Sequence, residues 1–296
     1  MVEVIISSGG IMKYLTKQWY ELSQLTFLHI GMKVLKEANR FDDSLFRKLY
    51  KEAENQYVET EREAYNVDPR YMLEHDGSTL ISLDRYVLGE QLSDEDIMIY
   101  DMPKEEKKHI QKLINEFDSR LPFNEEKCRE DFIKINRMIE DENKKRIPPN
   151  IYDQIADPRV FALGYCTKSI YNQLKKISKE NMKKANLIVD EYSKAQMNEI
   201  IPDDIKEKLS FHDCKVKDFK VDGKDAAMIF DIYGQMATYD RVVFKSAKII
   251  SQESEVIGSY WIHNEIYCVE NGYEVHILLD GEGTHELTIS CENIVI

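Results

Sequence analysis

Apolar residues recur at three- and four-residue steps over roughly the first two-thirds of the chain, which is the spacing of an amphipathic helix. Prolines and capping residues such as Asp42 and Thr167 separate the stripes. We predict a bundle of about five to eight helices. The clearest stripes are Leu15 to Leu35, Phe46 to Tyr57, Ile110 to Phe117, Phe132 to Ile139 and Ile170 to Tyr192.

The pattern changes near Leu209, after which polar and apolar residues alternate as in strands. All seven prolines lie at or before Pro202, whereas six of the twelve glycines lie in the last third. Asp222-Gly223 and Asn271-Gly272 are typical of hairpin turns. We predict about six strands. They cover residues 211–221, 226–233, 241–250, 258–270, 273–279 and 285–296.

The predicted fold class is therefore α+β, with an N-terminal helical bundle followed by a small antiparallel β domain. The β domain could be a sheet, a sandwich or an open barrel. We place the helical domain at residues 12–208 and the β domain at 209–296. Residues 1–11 are interpreted as a non-native or disordered extension, because Ser7-Ser8-Gly9-Gly10 resembles a translated ribosome-binding sequence and the amphipathic pattern begins after Met12. Amino-terminal mass spectrometry of the natural protein tests this interpretation.

Charge restricts the classes of partner. The net charge of −14 argues against nucleic acid, because phosphate binding needs clustered Lys and Arg. From Leu209 onward there are 15 acidic and 7 basic residues, and no Lys or Arg follows Lys248. We expect a basic protein as the partner of this acidic surface. The sequence predicts no oligomeric state.

Location follows from what the sequence lacks. No run of eighteen apolar residues occurs, and Glu3 stands where a secretory signal carries basic residues. We expect a cytoplasmic protein that neither spans a membrane nor is exported. Its five scattered cysteines are predicted to be reduced and mostly buried, and we predict no cofactor. Hydrolase and nucleotide-binding motifs such as G-x-S-x-G and G-x-G-x-x-G are absent.

The second hairpin gathers the most suggestive side chains. A two-residue Asn271-Gly272 loop would pair Glu270 with Tyr273, and behind it Tyr267 with His276, Glu265 with Leu278 and His263 with Asp280. One face would then be core, with Ile262, Ile266, Cys268, Val275, Ile277 and Leu279. The other face would carry Trp261, His263, Glu265, Tyr267, His276 and Asp280.

Two interpretations of that second face remain open. The side chains of His263, Glu265, His276 and Asp280 could bind a divalent metal or share acid–base catalysis, with His212 and Asp213 joining them from the first strand. Alternatively, an antiparallel sheet with one solvated face alternates polar and apolar residues without any site. On that interpretation Asp213 bonds backbone N–H groups where the strand begins.

Several segments resemble a known family. They are Met12 to Lys17 with Trp19, Asp157-Pro158-Arg159-Val160-Phe161-Ala162-Leu163-Gly164, Phe211-His212-Asp213, and the stretches 261–267 and 273–276. They resemble an uncharacterised family of bacterial proteins found mainly in Firmicutes, a likeness that implies no activity. The β domain also resembles small domains that open on a His-Asp step, some of which occur in bacterial toxin–immunity settings.

Two functions follow as hypotheses. The leading one is a non-catalytic cytoplasmic protein-binding protein, immunity-like in character, that uses its acidic β-domain surface. The alternative is a metal-dependent or acid–base enzyme, hydrolase-like, that uses the His, Glu and Asp cluster of the β domain. The two hypotheses differ in whether those side chains converge on one point.

Overall fold

The computed structural model describes residues 12–81, 97–233 and 235–296. The predicted extension at residues 1–11 lies outside them. The described helices are α1 (Lys17–Gln24), α2 (Asp43–Asn66), α3 (Lys104–Ser119), α4 (Glu125–Arg146), α5 (Pro149–Tyr152), α6 (Pro158–Ala162), α7 (Lys168–Met197) and α8 (Asp203–Lys208). Two 3₁₀ turns cover Lys36–Asn39 and Pro69–His75. Among the described residues, no helix combines the length and the apolar character needed to cross a bilayer.

The described strands are mostly short. They are β1 (Lys33–Val34), β2 (Thr79–Ile81), β3 (Ile97–Ile99), β4 (Tyr165–Cys166), β5 (Cys214–Asp222), β6 (Asp225–Asp231), β7 (Arg241–Lys245), β8 (Lys248–Gln252), β9 (Tyr260–Val269), β10 (Gly272–Asp280), β11 (Thr284–Cys291) and β12 (Asn293–Val295). Two predicted strands are each divided. The predicted strand 241–250 breaks at Ser246, which adopts a φ of 49°, and the predicted strand 285–296 breaks at Glu292.

The contacts divide the chain into two compact units. One unit is Met32–Lys168, and the other joins the chain up to Gly31 with Ser169–Ile296. The change from helix to strand does occur between Lys208 and Cys214. The compact units do not follow that line, because α1 and nearly all of α7 group with the sheet. A domain boundary at Leu209 stays a prediction.

The unit Met32–Lys168 contains a partly buried Asp157-Arg159 ion pair. Asp157 caps α6 by accepting the Arg159 N–H at 3.1 Å, and the Arg159 guanidinium bonds Asp157 and Asp43 at 2.8 Å each. Burial acts to raise the pKa of Asp157, but the hydrogen bonds and the charge of Arg159 outweigh it and hold this pKa below its usual value. Arg159 also lies over the rings of Phe41 and Phe46. The Asp-Pro-Arg segment is thus a structural joint between the starts of α2 and α6.

The other unit contains an open, antiparallel, eight-stranded sheet in the order β12-β7-β6-β5-β9-β10-β11-β8. The predicted α+β class with an antiparallel β domain is confirmed, and of the predicted forms the structure has the open sheet. One face carries the main core, together with Ile201, Ile205 and Leu209 from around α8. Trp261, Phe211 and Phe230 pack against one another there, with ring centroids 4.1 to 5.7 Å apart.

The opposite face of β9 and β10 is also covered. Ile262 and Leu278 pack against Met12, Leu15 and Trp19 at the start of the chain and against Ala185 of α7. Farther along, α7 bonds the backbone of β9 directly. Gln196 donates to the Ile266 carbonyl at 2.8 Å, and Tyr192 donates to the Asn264 carbonyl at 3.2 Å. The expectation of a solvated face on this hairpin is therefore wrong, because α1 and α7 cover it.

Candidate functional site

The hairpin of β9 and β10 has a different register from the predicted one. Val269 pairs with Gly272, so the loop consists of Glu270 and Asn271, and the pairs from Gly272 to Leu278 are shifted by two residues. Asp280, predicted to face His263, pairs with Tyr260. His276 consequently faces Glu265, and Leu278 faces His263. The prediction placed Gly272 inside a type I′ loop. Gly272 instead follows the two loop residues, the position that favours glycine after a type I turn.

A β-bulge corrects the predicted faces as well. Leu278 pairs with His263, but Leu279 pairs with Trp261, so the pairing skips Ile262. The extra residue turns Trp261 into the main core and Ile262 to the face covered by α1, the reverse of the prediction. Trp261 satisfies its indole N–H by donating to the Asn264 side chain at 3.1 Å. Nothing in the alternation of residues 260–269 marks this bulge.

Glu265 is the centre of a buried polar network. Glu265 is fully buried. Its two carboxylate oxygens accept hydrogen bonds from the backbone N–H groups of Lys13, Tyr14 and Leu15 at 2.9, 2.7 and 2.6 Å. The Tyr267 hydroxyl donates a fourth bond at 2.6 Å. Burial, followed by that bond to Glu265, raises the pKa of Tyr267 above its usual value. The carboxylate therefore anchors the N-terminal segment, defined here as Met12–Gln24, on β9.

Two further carboxylates hold the same segment. Glu286 accepts the Met12 N–H at 3.2 Å, and Glu253 accepts the Lys17 ammonium at 2.5 Å. Glu253 also accepts the backbone N–H of Glu286 at 2.7 Å. Residues 12–17 thus lie on a row of three acidic side chains. These acids follow Lys248 in the sequence, where the unbalanced charge suggested a surface for a partner.

His276 is also buried and engaged on both ring nitrogens. Its Nε2 lies 2.8 Å from Glu274 Oε1, and its Nδ1 lies 3.3 Å from Thr288 Oγ1. The residue is 2% exposed, and its ring packs edge-on against Tyr267 with centroids 5.6 Å apart. With both nitrogens bonded and no access from solvent, His276 has no free position for a substrate or a metal ion.

The remaining candidate residues form a second, partly exposed group beside α1. His212 Nδ1 lies 3.0 Å from Asp213 Oδ2, and the His212 and His263 rings are 5.0 Å apart. The His263 ring packs on Trp19 at 4.9 Å. Burial, reinforced by the neighbouring His212 and opposed by Asp213, lowers the pKa of His263 to about 4. His263 is therefore a neutral imidazole at pH 7.

Asp280 acts on this second group through its charge at Tyr20, whose ring centroid lies 6.5 Å from that of His263. Burial and then the charges of Asp280 and Asp213 raise the pKa of the Tyr20 hydroxyl. Sequence reasoning missed Trp19 and Tyr20 as members of the site. The helical spacing of Trp19 with Leu15 and Leu22 indicated that one side of α1 is buried, but a spacing within α1 cannot show that the covered surface is β9.

Asp213 is unusual in its backbone. With Ser246, it is one of two non-glycine residues in the described part of the chain with positive φ, here 62°. Its N–H donates to the Trp261 carbonyl at 2.8 Å, which ties the start of β5 to β9. The predicted bonding of the Asp213 carboxylate to local N–H groups is replaced by its pairing with His212.

The predicted catalytic residues thus fall into two separate environments. His212, Asp213 and His263 come together at an accessible position, whereas Glu265 and His276 are held in buried pairings. Within the described ranges, no three His, Cys, Asp or Glu side chains are grouped so that they could hold a metal ion. The geometry gives no support to the predicted metal set His263, Glu265, His276 and Asp280.

Comparison with known proteins identifies the family to which the chain belongs. The family model described as Protein of unknown function (DUF4085) matches residues 140–291, which is more than half of the chain. The chain therefore belongs to this family, and the resemblance to an uncharacterised family is confirmed. No curated protein and no solved structure matches the chain. An origin in Firmicutes stays a prediction.

Proposed function

We propose that this member of the DUF4085 family is a non-catalytic, cytoplasmic protein-binding protein whose acidic β-domain surface engages a basic protein. The observation that carries the proposal is the state of Glu265 and His276. A catalytic acid or base must reach its substrate, but these two groups are buried and bond within the fold. Their arrangement is that of residues that hold the structure together.

The acidic side chains that remain exposed favour a charged interaction. Of the acids after Lys248, Glu265, Glu274 and Glu286 are buried, and Glu253 is paired with Lys17. Exposed carboxylates remain on this domain at Glu255, Glu270, Glu282 and Glu292. Opposite charge accelerates encounter with a basic partner and discriminates against acidic ones. An immunity-like role against a basic toxin is one form of this proposal.

The cytoplasmic location draws support from the cysteines. All five lie in described residues, all are free thiols, and four are buried. This agrees with the predicted reduced and mostly buried state. Free thiols are typical of a reducing compartment.

Charge substitution tests the binding proposal. Glu255, Glu270, Glu282 and Glu292 are changed together to Gln, and the full chain is used to capture partners from its native host at low and high salt. We expect wild type to retain a basic protein at low salt only, and the variant to lose it. The captured protein is then purified and its binding is measured directly.

The matched control removes the same number of charges elsewhere. Glu52, Glu63, Glu130 and Glu180 are exposed, and they belong to other parts of the chain. Their joint change to Gln should leave capture intact. Equal loss in both variants would show a general effect of net charge. Retention by the β-domain variant, or an acidic captured protein, would refute the proposal.

A specific observation favours acid–base catalysis as the second candidate. His212, Asp213 and His263 lie together, and the His212-Asp213 pair is exposed. Elemental analysis of the purified full chain separates the binding function from the metal-dependent form of this second candidate. If the protein only binds a partner, we expect the purified chain to contain no stoichiometric zinc, iron or manganese. One bound equivalent that disappears in His263→Gln would favour the metal-dependent enzyme instead.

A further inference from the structure

A cavity of about 380 Å³ lies in the unit Met32–Lys168, between α2 and α4 and beside the loop that follows α3. Three aromatic side chains and two carboxylates line it. The aromatic residues are Tyr57, Tyr65 and Phe123, and the acidic residues are Glu61 and Asp131. An aromatic wall with acidic residues beside it is the composition of sites that take organic cations.

The charges of the lining favour a cation over an anion. Among the described residues, Glu61 has no ion-pair partner, and Asp131 pairs only with the exposed Lys134 of its own helix at 3.0 Å. After burial, Glu61 and Asp131 are the acidic groups that raise the pKa of both Cys128 and Tyr57. The charges of Glu61 and Asp131 therefore reach this lining, and Arg129 opposes them at Cys128. Of the described lining residues, only Lys127 is basic.

The aromatic side chains of this region already bind cations of the chain itself. The Arg120 guanidinium lies 3.9 Å from the centre of the Tyr65 ring, and the Arg62 guanidinium lies 5.5 Å from that of Phe123. No cation of the described residues lies over Tyr57, which packs on Phe132 with ring centroids 5.5 Å apart. Tyr57 and Glu61 stand one helical turn apart on α2, so an incoming cation can contact both.

We propose that this cavity binds an alkylammonium group, either a free amine or the lysine side chain of a peptide. The alkyl part contacts the aromatic residues, and the ammonium group is neutralised by Glu61 and Asp131. Because the ligand is a single charged group in a partly open site, we expect binding in the millimolar range. This site does not depend on the acidic surface of the β domain.

The test uses the full chain and defined probes. Backbone NMR shifts are followed during titration with n-butylammonium, with Nα-acetyl-lysine N-methylamide, and with n-butanol and butyrate as matched uncharged and anionic probes. We expect both amines to shift residues of α2, α4 and the loop between α3 and α4, and the two controls to leave them unchanged. Tighter binding of the lysine amide identifies a peptide as the source, and tighter binding of butylammonium identifies a free amine.

Two substitutions on α2 make the test specific. Glu61→Gln keeps shape and removes one charge from an exposed lining residue, and it should weaken amine binding about two- to fivefold. Glu63→Gln removes an equal charge from the same helix at a residue outside the lining, and it should leave binding unchanged. Equal affinity for n-butanol, an unchanged affinity in Glu61→Gln, or no shifts at millimolar amine would each overturn the proposal.

Discussion

At the scale of single residues, the burial of the Glu265 carboxylate carries a large cost of desolvation. An isolated charge in such a position would be strongly unfavourable. Three backbone N–H groups and one hydroxyl compensate it, and hydrogen bonds to an ionised group are roughly twice as strong as neutral ones. The buried charge therefore depends on the N-terminal segment for three of its four donors.

Replacement of Glu265 by Gln tests that dependence. The amide has the same shape, but its NH₂ group meets backbone donors where an acceptor is needed. We expect a loss of about 2 to 4 kcal/mol in the free energy of unfolding, measured with denaturant. Glu270→Gln, on the exposed loop of the same hairpin, is the control and should cause no measurable change. An unaltered stability in Glu265→Gln would contradict the anchoring role.

His263 predicts a defined pH dependence. Its pKa is lowered to about 4 by burial and by His212, whereas an imidazole in the unfolded chain titrates near 6.5. At pH values between about 4 and 6.5, the His263 imidazole is protonated in the unfolded state but not in the folded state. Stability is therefore complete above about pH 6.5 and falls toward pH 4, by at most roughly 1.4 kcal/mol per pH unit from this residue.

Imidazole NMR titration measures this pKa directly. In parallel, denaturation curves of wild type and His263→Gln at several pH values isolate its contribution, and the variant should lose part of the acid sensitivity. The neighbours His212 and Asp213 act in opposite directions on His263. A measured pKa near 6.5 would show that the ring is more hydrated than its packing on Trp19 indicates.

At the scale of elements, local sequence predicts the position of the turn in the β9–β10 hairpin but not the register of its strands. Asn271-Gly272 correctly located the turn between two strands. A type I′ loop and a type I turn followed by glycine share that dipeptide, so the sequence could not choose the register. The structure requires a glycine at this position, because a Cβ at Gly272 would meet the Cys291 carbonyl oxygen of β11 at 2.2 Å.

A pair of glycine substitutions separates that contact from backbone strain. Gly272 and Gly283 have similar φ values of 125° and 118°, but a Cβ at Gly283 meets nothing within 4 Å. Both changes to Ala should lose stability because positive φ disfavours a side chain. Gly272→Ala should lose about 1 to 3 kcal/mol more, the cost of overpacking. Equal melting losses in the two variants would show that the backbone of β11 moves away freely.

At the scale of the whole molecule, the sequence predicted the classes of element better than their partners. Periodicity, proline usage and charge all change near Leu209, and the change from helix to strand occurs there. Those signals report local conformation. They do not reveal that α1 packs on a sheet as well as on α7, since an apolar stripe fits either surface. For the same reason the alternation correctly placed His263 and Glu265 on one face but could not show its cover.

The N-terminal segment packs on the eight-stranded sheet, and truncation can measure its contribution to the free energy of unfolding. A chain that begins at Met12 keeps every described contact of that segment, so we expect its stability to match that of the full chain. A chain that begins at Lys17 lacks the donors to Glu265 and the packing of Met12 and Leu15 on Ile262 and Leu278. We expect this shorter chain to lose at least about 3 kcal/mol.

Adding the missing piece back distinguishes anchoring from a general folding defect. A synthetic peptide of residues 12–24 should bind a chain that begins after Gln24 and raise its melting temperature, because binding to the folded state alone stabilises it. The same peptide should fail on the Glu265→Gln form of that chain. If the peptide stabilises both forms equally, apolar packing rather than the buried carboxylate holds the segment, and the central role given to Glu265 would have to be abandoned.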